Sequence, residues 1–165
     1  MKSSNRFALL ATAVVALSSL STTVMAASIS GLANATVLVP IAITAPKALT
    51  FGTFAPGTVA GSVVVTPAGG RTATNALLST SGAGDFGRFT VTGANVGFAI
   101  TAPTTVSLTG GGPAMVVTLS GIGTSGTIAG GTINIDFGGS LAVASSATQT
   151  AGLYSGSFTM QVEYN

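Results

Sequence analysis

The chain has 165 residues, of which 47% are apolar and only 5% charged, with no Cys, His or Trp. Without Cys and His there is no thiolate nucleophile, imidazole base or disulfide, and the commonest zinc ligands are missing. The formal charge is +2, but Lys2 and Arg6 supply that excess. The rest of the chain sets Lys47, Arg71 and Arg88 against Asp85, Asp136 and Glu163, so it carries no basic footprint for nucleic acid.

The N-terminus reads as an export signal. Lys2 and Arg6 precede an apolar run from Phe7 to Leu20 broken only by Thr12, Ser18 and Ser19, and a small-residue site follows at Val24-Met25-Ala26. That order is the layout of a secretory signal peptide (residues 1–26), with cleavage expected after Ala26. The run is short for a membrane anchor and no stop-transfer charges follow it, so no membrane span is expected after signal removal. Residues 27–165 are then expected to form one domain, whose stability comes from burial alone.

From Ala27 onward, short runs rich in Val, Ile, Thr and Phe alternate with Gly, Pro, Ser and Asn clusters, and no helical period emerges. This predicts an all-β antiparallel sandwich of about ten short strands. In the first segment Ile29, Gly31, Ala33, Ala35, Val37, Val39, Ile41 and Ile43 share one face. Pro40 lacks a ladder donor, which predicts an edge strand or a break there. Strands are next expected at Leu49–Phe54, Ser62–Thr66 and, more weakly, Arg71–Leu78. Phe89–Thr92 and Gly97–Thr101 read as a hairpin about Gly93–Val96. Thr105–Thr109 and Met115–Ser120 flank a Gly-Gly-Gly-Pro turn, and Gly121–Gly131 reads as a flexible loop. Ile133–Phe137 and Leu141–Ala144 are expected to meet across Gly138-Gly139-Ser140. In the last strand, Ser157–Tyr164, Phe158, Met160, Val162 and Tyr164 face one way and Thr159, Gln161 and Glu163 the other.

Little here points to chemistry. Asp85, Asp136 and Glu163 are the carboxylates left for acid–base work, and turn or strand-end roles account for them. They do not cluster as a calcium site requires. Gly110–Gly112 and the spacing of Gly121, Gly123 and Gly126 look superficially like phosphate loops, but no helix follows, as a dinucleotide fingerprint demands. The expectation is a non-enzyme with no catalytic, cofactor-binding or metal-binding residues.

The C-terminal strand resembles that of subunits assembled by the chaperone–usher pathway. Gly152 lies fourteenth from the end, alternating apolar residues follow, and Tyr164 is penultimate. The resemblance implies that Gly152, Phe158, Met160, Val162 and Tyr164 belong to a strand contacted by a periplasmic chaperone or a neighbouring subunit. Ala27–Thr44 complements this. It reads as a donor strand, with Ile29, Gly31, Val37, Val39, Ile41 and Ile43 inserting into a neighbour, or else Ala33–Thr44 is the first strand of a self-complete sandwich.

Most of the chain also resembles the bacterial family of domain of unknown function 4402, exported and pilin-like. The matching stretches are Leu49-Thr50-Phe51-Gly52, Gly61–Pro67, Phe89–Gly93, Gly139–Val143 and Gln149–Phe158, continuing to Tyr164. The resemblance implies an immunoglobulin-like, Greek-key sandwich and surface assembly. The disulfide that many pilins carry is missing. The expected function is a structural subunit of a cell-surface fimbria. It would pass through the periplasm with a chaperone and usher and polymerise with identical or related subunits by strand donation. The competing expectations are a self-contained secreted binding module and, with more strain on the aromatic content, a small outer-membrane barrel.

Overall fold

The structure, a computed structural model, describes residues 25–165, so all but Met25 and Ala26 of the expected signal lies outside the described residues. The chain divides at Ala35 into two units. Met25–Ala35 has no regular structure and every side chain in it is exposed. Thr36–Asn165 is all-β and antiparallel, as the period-2 pattern predicts.

The strands are β1 (Ala42–Lys47), β2 (Phe54–Pro56), β3 (Gly61–Val65), β4 (Arg71–Thr74), β5 (Ala76–Leu78) and β6 (Gly87–Thr92). They are followed by β7 (Gly97–Thr101), β8 (Thr105–Leu108), β9 (Met115–Ser120), β10 (Ser125–Thr127), β11 (Thr132–Val143) and β12 (Gln161–Tyr164). A seven-stranded sheet holds β1-β6-β11-β3-β4, with β9 also on β11 and β8 on β9. A second sheet is β10-β7-β12, and β2-β5 form a ribbon.

The spine is β11, a single strand of 12 residues where the sequence predicts two joined by a turn. Its N-terminal half pairs with β6, from Thr132↔Thr92 to Phe137↔Gly87, and its C-terminal half pairs with β3 and β9. The exchange of partners falls at Gly138-Gly139. A Cβ on Gly138 would run into the Val65 carbonyl, and one on Gly139 would crowd Val117 and Thr118, so these glycines serve close strand approach instead of a turn.

One face of β11 is apolar along its whole length and feeds two cores. Leu141 and Val143 join Phe51, Val63, Val65, Val106, Met115 and Val117, around which the large sheet curls. Ile135 joins Val91, Phe98, Ile100, Ile128 and Met160 between the two sheets. Each fully buried side chain of this size contributes roughly 1.5–3 kcal/mol. Three rings connect the cores: Phe89 stacks on Phe137 at 4.9 Å, and Phe158 stands edge-on to both, at 5.8 and 5.6 Å. A Cβ on Gly87 would strike the Phe137 ring, so the stack requires glycine beneath it.

Several elements depart from the sequence pattern for reasons the backbone makes plain. β6 and β7 do not form a hairpin. The Gly93–Val96 turn carries the chain from one sheet to the other. Asn75, at φ 53, bends the predicted Arg71–Leu78 strand into β4, paired with β3, and β5, paired with β2. Leu49–Thr53 contributes one bridge, Thr50↔Asp85, in place of a strand. The loop from Gly121 to Gly131 contains β10. After Pro40 the first strand begins only at Ala42, at a sheet edge, and its register slips between Thr44 and Lys47, across Pro46.

Candidate functional site: a groove between two sheet edges

The two terminal strands face one another without pairing. β1 ends the large sheet and bonds only to β6, through Ala42↔Thr92, Ile43↔Val91 and Thr44↔Thr90. β12 ends the small sheet and bonds only to β7, from Gln161↔Thr101 to Tyr164↔Phe98. Between them lies an open cleft of about 440 Å³, with Ile41, Ala42 and Ile43 on one wall and Met160, Gln161, Val162 and Glu163 on the other. Thr101 of β7 completes the lining.

Each edge keeps a row of backbone donors and acceptors without a strand partner, which is a template for pairing with another chain. The floor is apolar: Met160 is buried, and Ile41, Ile43 and Val162 are half-buried. A β-strand rises about 3.3 Å per residue, so Met160–Glu163 offers a wall of about 13 Å. The cleft therefore sets an apolar floor between two edges whose backbone groups have no strand partner. Glu163 is exposed on its rim.

One end of the cleft is tied shut. The Tyr164 hydroxyl donates to the Val39 carbonyl and accepts from the Ala94 amide, both at 2.7 Å. Gly93 makes room for it, since a Cβ there would strike the hydroxyl.

The sequence-selected residues fall in different places. Ile29 is 98% exposed and Gly31 has open space where a side chain would stand. Val37 is 93% and Val39 64% exposed. Ile41 and Ile43, grouped by period with the possible donor residues, line the groove of their own domain. Phe158, Met160, Val162 and Tyr164 point inward, while Thr159, Gln161 and Glu163 are exposed. Hydrogen-bonded strand covers only Gln161–Tyr164, because Gly156–Met160 runs unladdered past β8 after the Thr109↔Ser155 bridge. Gly152, at φ 150, is exposed well before β12.

Two of the three carboxylates hold cations, and neither is drawn toward a second carboxylate. Lys47 Nζ is 2.8 Å from Asp85 and 3.5 Å from the centre of the Phe86 ring. Arg88 forms a two-pronged pair with Asp136, with Nη2 at 2.7 Å from Oδ2. The hydrogen bond from Lys47 lowers the Asp85 pKa, and that from Arg88 lowers the Asp136 pKa. Arg71 clamps a loop by donating to the carbonyls of Thr53, Ser79 and Gly82. Sequence reasoning missed these contacts, because nothing local places residue 47 beside 85 or 88 beside 136.

Two sheets packed over a shared core define an antiparallel β-sandwich protein with an open cleft between two sheet edges. Within that class, residues 41–164 match the family model described as Domain of unknown function (DUF4402), and the chain belongs to that family. No curated protein and no solved structure matches the chain. Among the described residues no helix is long and apolar enough to cross a membrane.

Proposed function

We propose that this protein is a non-enzymatic structural subunit of a cell-surface fimbria or pilus-like assembly. In this reading it is exported, escorted through the periplasm by a chaperone and usher, and polymerised by strand donation. The observation that carries the reading is the groove, in which two sheet edges of one domain flank an apolar floor and lack a strand between them. Extended strands bind such edges through main-chain hydrogen bonds, and alternate side chains fill the floor.

The donor is the N-terminal segment of a second copy. Five of the eleven large apolar side chains exposed among the described residues lie between Ile29 and Val39. No charge falls between Ala27 and Pro46. Ile41 and Ile43 are walls of the acceptor, so the donated part ends before Pro40. With the Val39 carbonyl bonded to Tyr164 of its own domain, this leaves Ile29, Gly31 and Val37 of the possible donor residues in the donated part.

The test compares residues 27–165 with a form beginning at Val39, by light scattering and electron microscopy, with a synthetic Ala27–Leu38 peptide added to the shorter form. The longer form is expected to build linear oligomers, and the shorter to stay monomeric and bind the peptide with shifted β1 and β12 amide resonances. Two stable monomers and no peptide binding would overturn strand donation in favour of a self-contained binding module.

A further inference from the structure

The tie at the end of the groove has consequences for which strand can enter it. We infer that the Tyr164 hydroxyl is a clasp: it roots the N-terminal segment at Val39 and keeps each chain's own segment out of its own groove. The clasp rests on geometry alone, while its effect on groove filling rests on strand donation.

The bonding is specific. A single hydroxyl both donates to Val39 and accepts from Ala94, so it joins the N-terminal segment, the C-terminal strand and the β6–β7 turn at one point. β1 begins three residues after Val39, and β12 ends at Tyr164 itself. The two walls therefore leave the clasp in opposite senses, one departing from it and one arriving. The groove is closed where the chain enters the domain and open at the far end.

Filling the groove with the chain's own segment would require a hairpin onto the free edge of β1. Its turn would have to fall between Leu38 and Ala42. Pro40 has a fixed φ and no N–H, and it holds the preceding residue, Val39, in an extended conformation. The Val39 carbonyl is already committed to Tyr164. A turn there, in which Pro40 can take the second position, closes through the Val39 carbonyl and so competes with Tyr164 for it, whereas a strand from another copy can enter from the open end and leave the clasp intact.

The test replaces Tyr164 with Phe in the 27–165 protein, which removes the hydroxyl and keeps the ring. Hydrogen exchange is followed by NMR on freshly monomerised protein. Gly93→Ala serves as a second variant, displacing the hydroxyl from the opposite side should Tyr164→Phe not fold. Loss of one such bond is expected to speed Ala94 exchange about twofold to tenfold, with Ile135 in β11 unchanged. Amides of Ala33–Val37 are expected to gain protection in the variants, and uptake of added Ala27–Leu38 peptide to fall, because the groove is now self-filled.

Unchanged Ala94 exchange in both variants would overturn the clasp. Faster Ala94 exchange with unaltered segment protection and peptide uptake would overturn its gating role. Failure of strand donation has a separate signature: the form beginning at Val39 takes up no peptide, while the Ala94 response remains.

Discussion

The two cores share one strand and one apolar face, yet they are finished differently. Around the C-terminal half of β11 the sheet continues on both sides and curls, leaving Val63 and Val65 at 0% exposure and Leu141 at 1%. Around the N-terminal half the sheet stops at β1 and the facing sheet at β12; Val91, Phe98 and Ile128 are as deeply buried there, but Met160 lines the cleft between the two edges. A closed core draws its stability from within the chain. An open one leaves part of its burial to whatever lies in the gap. In the strand-donation proposal the first is the scaffold half of the fold and the second its acceptor half.

The widest difference is expected from truncations in the two halves. Leu141→Ala, in the closed core, is expected to cost about 2–5 kcal/mol, because a cavity opens where neighbours cannot collapse. Met160→Ala, beside the cleft, is expected to cost less, since solvent and nearby side chains can occupy the space. Urea unfolding of both variants checks the order. Equal losses would mean that the two cores are equally closed.

Next comes stabilisation by an occupant. The Ala27–Leu38 peptide, at a hundredfold excess over its dissociation constant, is expected to raise the stability of the form beginning at Val39 by about 2.7 kcal/mol. Met160→Ala is expected to weaken that gain and Leu141→Ala to leave it intact. Thermal unfolding across a peptide titration reads both. A gain lost equally in the two variants would break the distinction between scaffold and acceptor.

A smaller effect concerns the joint between the halves. Gly87→Ala places a methyl group against the Phe137 ring, which is already packed by Phe89 and Phe158. Overpacking of this kind costs about 1–3 kcal/mol. Chemical shifts of Phe158 and Met160 are expected to move as the ring gives way.

The all-β class and most strand positions were legible because period-2 alternation is local. The seating of Phe158, Met160, Val162 and Tyr164 on one inner face was legible for the same reason. The groove was not, because it exists only once β1 and β12 are placed at the edges of different sheets, and no local pattern encodes that. Ile41 and Ile43 illustrate the limit. Their alternation is continuous with Ile29–Val39, and only Pro40 hints that burial begins after it. Gly138-Gly139 misled for a related reason: a glycine pair marks either a turn or a close strand approach, and only the neighbouring strands decide which.

The smallest expected effect lies on the surface, where the halves differ in charge. Lys47–Asp85 and Arg88–Asp136 are the ion pairs among the described residues and involve β1, β6 and β11, while Lys47 also lies over Phe86, which packs against the curled core. In the folded chain both carboxylates have pKa values lowered by their cation partners. The unfolded chain takes up those protons first, near pH 4, so the pairs' contribution is present above that value and is lost as the pH falls through the folded pKa values. Both pairs are solvent-exposed and screened, so the loss is expected to be slight and to shrink further in high salt. Asp136→Asn is expected to flatten the decline in urea midpoint between pH 5 and pH 2 without shifting Leu141 resonances in the curled half. A decline as steep in Asp136→Asn as in the unaltered protein would show that acid acts elsewhere, and would remove charge from the contrast between the two halves.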